Sequence, residues 1–441
     1  MVAGARQIAT SSVVLLLENV VRLAAVAVVS FWMARQLGPS QFGILNFASA
    51  LTAILLSVAS MGMDTPAILR LTRDRRAGLV LGTVLLVRVC AGIVMCLVAI
   101  LAGIALKGSE TMAITVTAIV AISIVVGAPA IFDYWFKSQT IAAAPAFARV
   151  AATLTAVGAK VACLLLGLGL VAFAWTVVLE YFLTGAALAV AYFLAARLRG
   201  LDRLGWDRAL LVVLVIECWP YMLSIAAIAA FMKIEVVMLG YLSSNAETGI
   251  YSLTQKLSEV LYVVPVVLID SAYPALARRF LDSDTSDSRH GQVLFDLAVG
   301  GSFIATIVAM VCAKPVIIGL FGDAYAASVT LFYLHSISCV AIALNTARHR
   351  WFAAVGLQRF APIVTVLGLA LNVGMNLVLI PRMGAMGAAV ATVVSYFVAG
   401  YVSSFLFAQL AGIGLMQTRA LWPWGRLYAT LGAWRAREGV A

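Results

Sequence analysis

Charged residues are scarce in this chain: Asp, Glu, Lys and Arg make up 11% of its 441 residues, while 63% are hydrophobic. A soluble globular chain carries about 25% charged and roughly 45–50% apolar residues. The scarcity therefore excludes a soluble fold, and a mean hydropathy of +1.05 agrees. Histidine is nearly absent, with three copies. No HExxH pair, nucleotide-binding glycine loop or DxD pair beside a soluble domain occurs, and the "DSD" at Asp282 sits in a short loop. Long polar stretches are missing too: the longest, "LDSDTSDSRHG" (Leu281–Gly291), is only a loop. A polytopic polysaccharide polymerase or glycosyltransferase would have nowhere to build its site, and no enzyme is expected. The six cysteines all fall inside apolar segments and none has CxxC spacing, so they read as small hydrophobes. No metal and no cofactor is expected. The net charge of +11 comes mostly from loop arginines, which argues against a nucleic-acid partner.

What is present is a succession of apolar runs. A run of about 20 residues crosses roughly 30 Å of hydrocarbon. Breaks at Gly, Pro and charge clusters predict twelve spans: 10–36, 41–66, 77–106, 110–136, 141–167, 171–197, 209–240, 248–278, 292–320, 325–350, 358–380 and 384–411. The first run extends to Trp32, too long for a cleaved signal. An even number of spans puts both termini on one side. One set of loops and tails holds 20 Lys/Arg, and the other holds only Arg35, Lys107 and Arg382. The Lys/Arg-rich side is cytoplasmic, so both termini are expected there. The tail, residues 413–441, is basic and carries Trp422, Trp424 and Trp434; it reads either as a headgroup-layer segment or as a poorly ordered tail.

The two halves echo one another. "FGILNFASALTAILLSVASMGMD" (Phe42–Asp64) aligns with "TGIYSLTQKLSEVLYVVPVVLID" (Thr248–Asp270), so that Gly43 meets Gly249 and Asp64 meets Asp270. "YWF" at Tyr134–Phe136 meets "RWF" at Arg350–Phe352, and "VVLEYF" at Val177–Phe182 meets "TVVSYF" at Thr392–Phe397. Offsets stay between 206 and 216, so spans one to six correspond to spans seven to twelve. The domain boundaries expected are 1–200, 201–412 and the tail. Parallel repeats with a site at their interface are a transporter signature.

The stretches "ARQLGPSQFGILNFASAL", "SMGMDTPAILR", "KIEVVMLGYLSSNAETGIYSLTQKLSEVLYVVP", "LIDSAYPALAR" and "RMGAMGAAVATVVSYF" resemble the polysaccharide-biosynthesis flippases. These are the Wzx-like members of the multidrug/oligosaccharidyl-lipid/polysaccharide exporter superfamily. The resemblance implies an all-α polytopic membrane protein, with about 12 transmembrane helices in two pseudo-symmetric six-helix lobes around a central cavity. Spans one, two, seven and eight would line that cavity. It further implies a bacterial inner-membrane flippase that moves an undecaprenyl-diphosphate-linked oligosaccharide, an O-antigen or exopolysaccharide repeat unit, to the periplasmic leaflet by alternating access. Membrane lipids, a polysaccharide polymerase and other assembly proteins would be its partners. Twelve spans speak against the lipid II flippase branch, which typically has two more. A cation-coupled multidrug antiporter of the same superfamily is the alternative, although it would want an acidic cavity.

Ionisable groups inside spans face a cavity or a partner. Arg22 is the first candidate for the pyrophosphate headgroup, with Glu18 and Asn19 one turn before it. Its other reading is a permanent ion pair with Glu18. Lys233 and Lys256 are further candidates, the latter within reach of Glu259 at i+3. Arg149 and Lys160 are eleven residues apart on one helical face and would extend a basic track, with Arg88 a similar case. The alternative is that each is neutralised by a neighbouring helix. Lys314, just before Pro315, is expected to snorkel. Glu18, Glu235 and Glu259 are the coupling or ion-pair candidates. Asn372 and Asn376 read as interhelical hydrogen-bonding groups, and His335 stands alone. Asn46, Ser49, Ala53, Ser57, Ser60 and Asp64 form one stripe at helical spacing, suited to a cavity wall or to close packing. Asp64 and Asp270 fall at cytoplasmic ends, each nine residues before an arginine, Arg73 and Arg279. These four are the candidates for a cytoplasmic gate.

Overall fold

The computed structural model describes the backbone of residues 2–73, 76–200, 202–281 and 289–424, and within these the side chains other than 2–27, 199, 274, 275, 277–281, 289 and 290. No strand occurs among the described residues. In chain order the α-helices are α1 (Val2–Ala59), α2 (Asp64–Arg73), α3 (Ala77–Lys107), α4 (Thr111–Val126), α5 (Phe132–Ser138), α6 (Ala143–Leu165), α7 (Leu170–Arg199) and α8 (Arg208–Leu242). There follow α9 (Asn245–Leu281), α10 (Arg289–Phe321), α11 (Ala326–Ser336), α12 (Ser338–Val355), α13 (Phe360–Phe397), α14 (Ser403–Leu406) and α15 (Ala411–Ala420).

Ten helical stretches among the described residues are long and apolar enough to cross a membrane. Two of them, Val28–Arg73 and Phe360–Leu406, run for 46 and 47 residues, and each contains a break at a glycine. Gly38 (φ 70°, ψ 170°) precedes Pro39, and Gly384 (φ 55°, ψ −133°) follows Pro381. Both combinations are open to glycine at little steric cost. Large apolar side chains such as Val94, Leu97 and Leu101 on α3 are exposed, as helices bathed in hydrocarbon require.

The stretch Phe42–Asp64 is not one continuous helix. α1 ends at Ala59, a turn with positive φ at Met61 and Gly62 follows, and Asp64 opens α2. The backbone of α8 at Tyr221 and Met222 leaves no room for a Cβ at Gly62. The polar stripe is satisfied locally: Asn46 donates to the Phe42 carbonyl (2.7 Å), Ser49 to Leu45 (2.7 Å), Ser57 to Ile54 (2.5 Å) and Ser60 to Ser57 (2.7 Å).

Packing divides the chain into two compact units, Met1–Gly249 and Ile250–Ala441. The sequence repeat divides it at 200 instead. The two divisions differ over α8 and the start of α9, which pack on the first unit. Its core centres on an aromatic group in which Tyr192 stacks on Phe132 (centroids 4.8 Å) and meets Trp135 edge-on (5.6 Å), flanked by Met63, Leu71, Val84 and Leu214. In the second unit, Phe295, Leu344, Trp351, Phe352 and Phe360 share a core with Ile413 and Met416 of α15. The start of the expected tail is therefore a packed helix; residues 425–441 lie outside the described ones.

Where α1 passes the first turn of α9, the backbones touch reciprocally. A methyl group on Gly43 would collide with the carbonyl oxygen of Asn245, and one on Gly249 with that of Pro39. Pro39 and Asn245 are separated by the same 206 residues as Gly43 and Gly249. A contact in which i meets j′ and i′ meets j is what a two-fold axis produces. The crossing thus pairs positions that the sequence alignment of the two stretches also pairs.

Candidate functional site: a cationic pocket and the charges behind it

α2 begins directly after the turn at Met61–Gly62, which aims its polar face at the first half of α8. Asp207 caps α8, accepting from the backbone N–H of Leu210 (2.8 Å). Glu217 and Tyr221, one turn apart on α8, face α2. Arg70 Nη2 lies 2.6 Å from Glu217 Oε2. Around this pair is a cavity of about 540 Å³ whose wall includes Thr65, Arg70, Arg73, Glu217 and Tyr221. Two guanidinium groups against one carboxylate leave the pocket with a surplus positive charge. Arginine's planar fork suits bidentate phosphate contacts.

Asp64 does not pair with Arg73. It accepts a hydrogen bond from the Tyr134 hydroxyl, to which Arg88 Nη1 donates at 2.8 Å; the Arg88–Asp64 separation is 3.9 Å. In the second unit Asp270 is held by Arg350 (Nη2 2.7 Å, Nε 3.0 Å). Tyr134 and Arg350 open the "YWF" and "RWF" motifs, and Asp64 and Asp270 end the aligned stretches. The same contact is therefore made once in each unit, with a phenol in one and a guanidinium in the other.

Each described cation of the expected basic track meets an acid. Arg149 Nη1 meets Asp133 Oδ1 at 2.6 Å, and Lys137 holds the other oxygen of that carboxylate at 2.8 Å. Lys160 Nζ meets Glu180 Oε2 at 2.7 Å. Arg149 and Lys160 share a face of α6, yet each meets its own acid. Lys233 is half-buried and Glu235 fully buried on α8; Lys256 and Glu259 are half-buried on α9; all four have partners. The side chains of Glu18, Asn19, Arg22 and Arg279 lie outside the described residues. Lys314 is exposed. Asn376 Nδ2 donates to Asn372 Oδ1 (2.8 Å) one turn away on the same helix, and Asn372 Nδ2 to Ser395 Oγ (3.0 Å) beyond the break at Gly384, so only the second bond joins two helical segments. His335 is buried between the hydroxyls of Tyr251 (3.5 Å) and Tyr262 (3.4 Å). No metal-binding group of three or more His, Cys, Asp or Glu occurs among the described residues.

Two further cations are buried, one of them Lys107, which the sequence puts in a loop. Lys107, at the end of α3, is 7% exposed; Arg348, on α12, is fully buried. Arg348 Nη1 donates to Ser403 and Ser404 Oγ (2.8 and 3.1 Å), and Nη2 to Asn345 Oδ1 and the Ala399 carbonyl (2.8 and 2.6 Å). The available signals were slight: Glu110 three residues after Lys107, and Asn345 three before Arg348.

Comparison with known proteins places this geometry. The fold matches the lipid II flippase MurJ in an inward closed conformation with a TM-score of 0.72 at 11% identity, covering 96% of this chain and 92% of that one. It matches an inward-facing multidrug resistance MATE family transporter of the MOP superfamily with a TM-score of 0.67 at 15% identity, covering 90% and 96%. A eukaryotic MATE transporter matches with a TM-score of 0.60 at 17% identity, covering 95% and 98%. No curated protein matches by sequence. The fold is thus shared with these flippase and transporter structures. The polysaccharide biosynthesis protein family matches residues 8–280, well over half of a chain whose motifs, repeat and helical fold agree with it: this protein belongs to the polysaccharide biosynthesis protein family.

Proposed function

We propose that the protein is a flippase that carries an undecaprenyl-diphosphate-linked oligosaccharide from the cytoplasmic to the periplasmic leaflet of a bacterial inner membrane. The observation that carries this reading is the surplus positive charge of the pocket at Arg70, Arg73 and Glu217. A diphosphate headgroup needs cations along its path, and a carrier of cationic drugs needs the opposite. Arg73 meets the headgroup first, and Arg70 exchanges Glu217 for phosphate oxygen. Arg22, with Glu18 and Asn19, is a further headgroup candidate, as is Lys233. Asp64 with Tyr134 and Arg88, and Asp270 with Arg350, each brace the cytoplasmic end of their own unit. No covalent chemistry is required of the protein.

The two stretches broken at Gly38 and Gly384 each count as two spans, giving twelve in two six-helix lobes, 1–200 and 201–412. The Lys/Arg bias between the two sets of loops and tails supports a cytoplasmic place for both termini. The test is translocation of a fluorescent polyprenyl-diphosphate sugar in proteoliposomes. Wild type transports it, and Arg73→Ala and Arg70→Gln each slow it about tenfold or more, the scale of one charge-assisted contact. A wild type that flips nothing while exporting a cationic dye against a pH gradient establishes the antiporter reading instead.

A further inference from the structure

Lys107 lies at the opposite end of α8 from the cationic pocket. Glu217 and Gly240 are 23 residues apart on that helix, about 35 Å along its axis, the thickness of a bilayer. Lys107 Nζ donates to the Gly240 carbonyl (2.5 Å) and to Asn245 Oδ1 (2.6 Å), and lies 4.7 Å from the centroid of the Phe47 ring. The Asn245 amide donates in turn to Glu110 Oε2 (2.8 Å), which is 3.9 Å from Lys107.

One ammonium thus ties four elements together. It sits at the end of α3 and caps one of the carbonyls that the last turn of α8 cannot satisfy internally. It also holds the first residue of α9 and covers an aromatic face on α1. The knot lies directly on the reciprocal crossing of Pro39–Gly43 with Asn245–Gly249. Only one half of the repeat has it. Lys314, 207 residues after Lys107, is exposed, and Ala34, Pro39 and Leu253 stand where the repeat would place Gly240, Asn245 and Phe47. A symmetric scaffold therefore carries an asymmetric fastening at this end.

We propose that Lys107 is a latch that keeps the extracytoplasmic end of the first unit shut. The ammonium, not the glycine crossing alone, sets how often that end opens. Van der Waals contact between glycine backbones holds helices close but is equally lost for any separation, whereas Lys107 adds charge-assisted bonds to two elements at once. Asn245, which receives from Lys107 and donates to Glu110, is the hinge of the fastening.

The latch's place in a transport cycle rests on the flippase reading, but its test does not. Thr248 is fully buried beside the crossing. A full-length chain with its six cysteines replaced and Thr248→Cys introduced is labelled in intact cells and in inverted vesicles with a membrane-impermeant maleimide. Labelling is slow with Lys107 present. Lys107→Met raises the rate from the extracytoplasmic side about tenfold or more, and Lys107→Arg raises it less. An unchanged rate in a folded Lys107→Met chain overturns the proposal, as does an equal rise from both sides, which reports general loosening. If Lys107→Met does not fold, Asn245→Ala decides: faster one-sided labelling supports the latch, and an unchanged rate overturns it. A chain that labels as expected yet flips no lipid-linked sugar sinks the flippase reading and leaves the latch standing.

Discussion

The pair between Lys160 and Glu180 offers a quantitative test of whether the intramembrane cations serve the fold or the substrate. Its atoms are 2.7 Å apart, with the side chains 11% and 26% exposed. At an effective dielectric near 20 the gross attraction is about 6 kcal/mol, most of it offset by the cost of taking both charges out of water. Removing only the lysine strands a carboxylate between spanning helices, and breaking a buried pair in this way costs about 3–5 kcal/mol. Lys160→Met should therefore lower unfolding stability by about 3 kcal/mol, followed by tryptophan fluorescence in mixed detergent–SDS micelles. Adding Glu180→Gln removes the stranded charge and should recover about 1–3 kcal/mol of it, with transport of the polyprenyl-diphosphate sugar close to wild type. A double variant as inactive as the single one, or a single variant that is stable but inactive, would refute the structural assignment and restore Lys160 to the substrate path.

Other outcomes follow from the same coordinates. Gly43→Val and Gly249→Val each place atoms where the opposing carbonyl sits; both should reduce folded yield in membranes sharply, while Gly158→Ala, with open space around it, should not. Arg348→Met leaves the Asn345 side-chain oxygen and one lone pair of the Ala399 carbonyl without their donor, so it should cost about 2–4 kcal/mol, read as a lowered thermal midpoint in detergent. Arg348→Lys restores the charge but not the fork and should recover only part. Tyr134→Phe removes the hydroxyl between Asp64 and Arg88 but leaves those charges within 3.9 Å, so it should cost less stability than Asp64→Ala in the same assay.

How far the site could be read from the sequence depends on the kind of interaction. The repeat was legible because aligned residues keep their spacing, and Gly43 with Gly249, and Asp64 and Asp270 with the first residues of the aromatic motifs, became actual contacts. The local pair Lys107–Glu110 is a three-residue spacing that any helix end displays. The contacts that matter more, from Lys107 to Gly240 and Asn245, span well over a hundred residues and leave no periodic trace. The same holds for Arg70, whose partner Glu217 is 147 residues away on α8; the partner of Arg149, Asp133, is 16 residues away but across a loop. The +9 spacing from Asp64 to Arg73 suggested a matched pair, but α2 turns Arg73 to the pocket and leaves Asp64 to Tyr134.

From its sequence alone this protein was determined to be a helical membrane protein with an internal duplication and a strong Lys/Arg asymmetry between its loops, because hydropathy, spacing and charge counts are properties of the chain itself. Which cations are neutralised and which remain for a ligand was decided only in the tertiary structure. A charge in a membrane takes its meaning from the acid a few ångströms away, and a neighbouring helix supplies it. Arg149 and Lys160 resemble Arg73 in the sequence; packing gives the first two an acid each and leaves the third on the wall of a pocket.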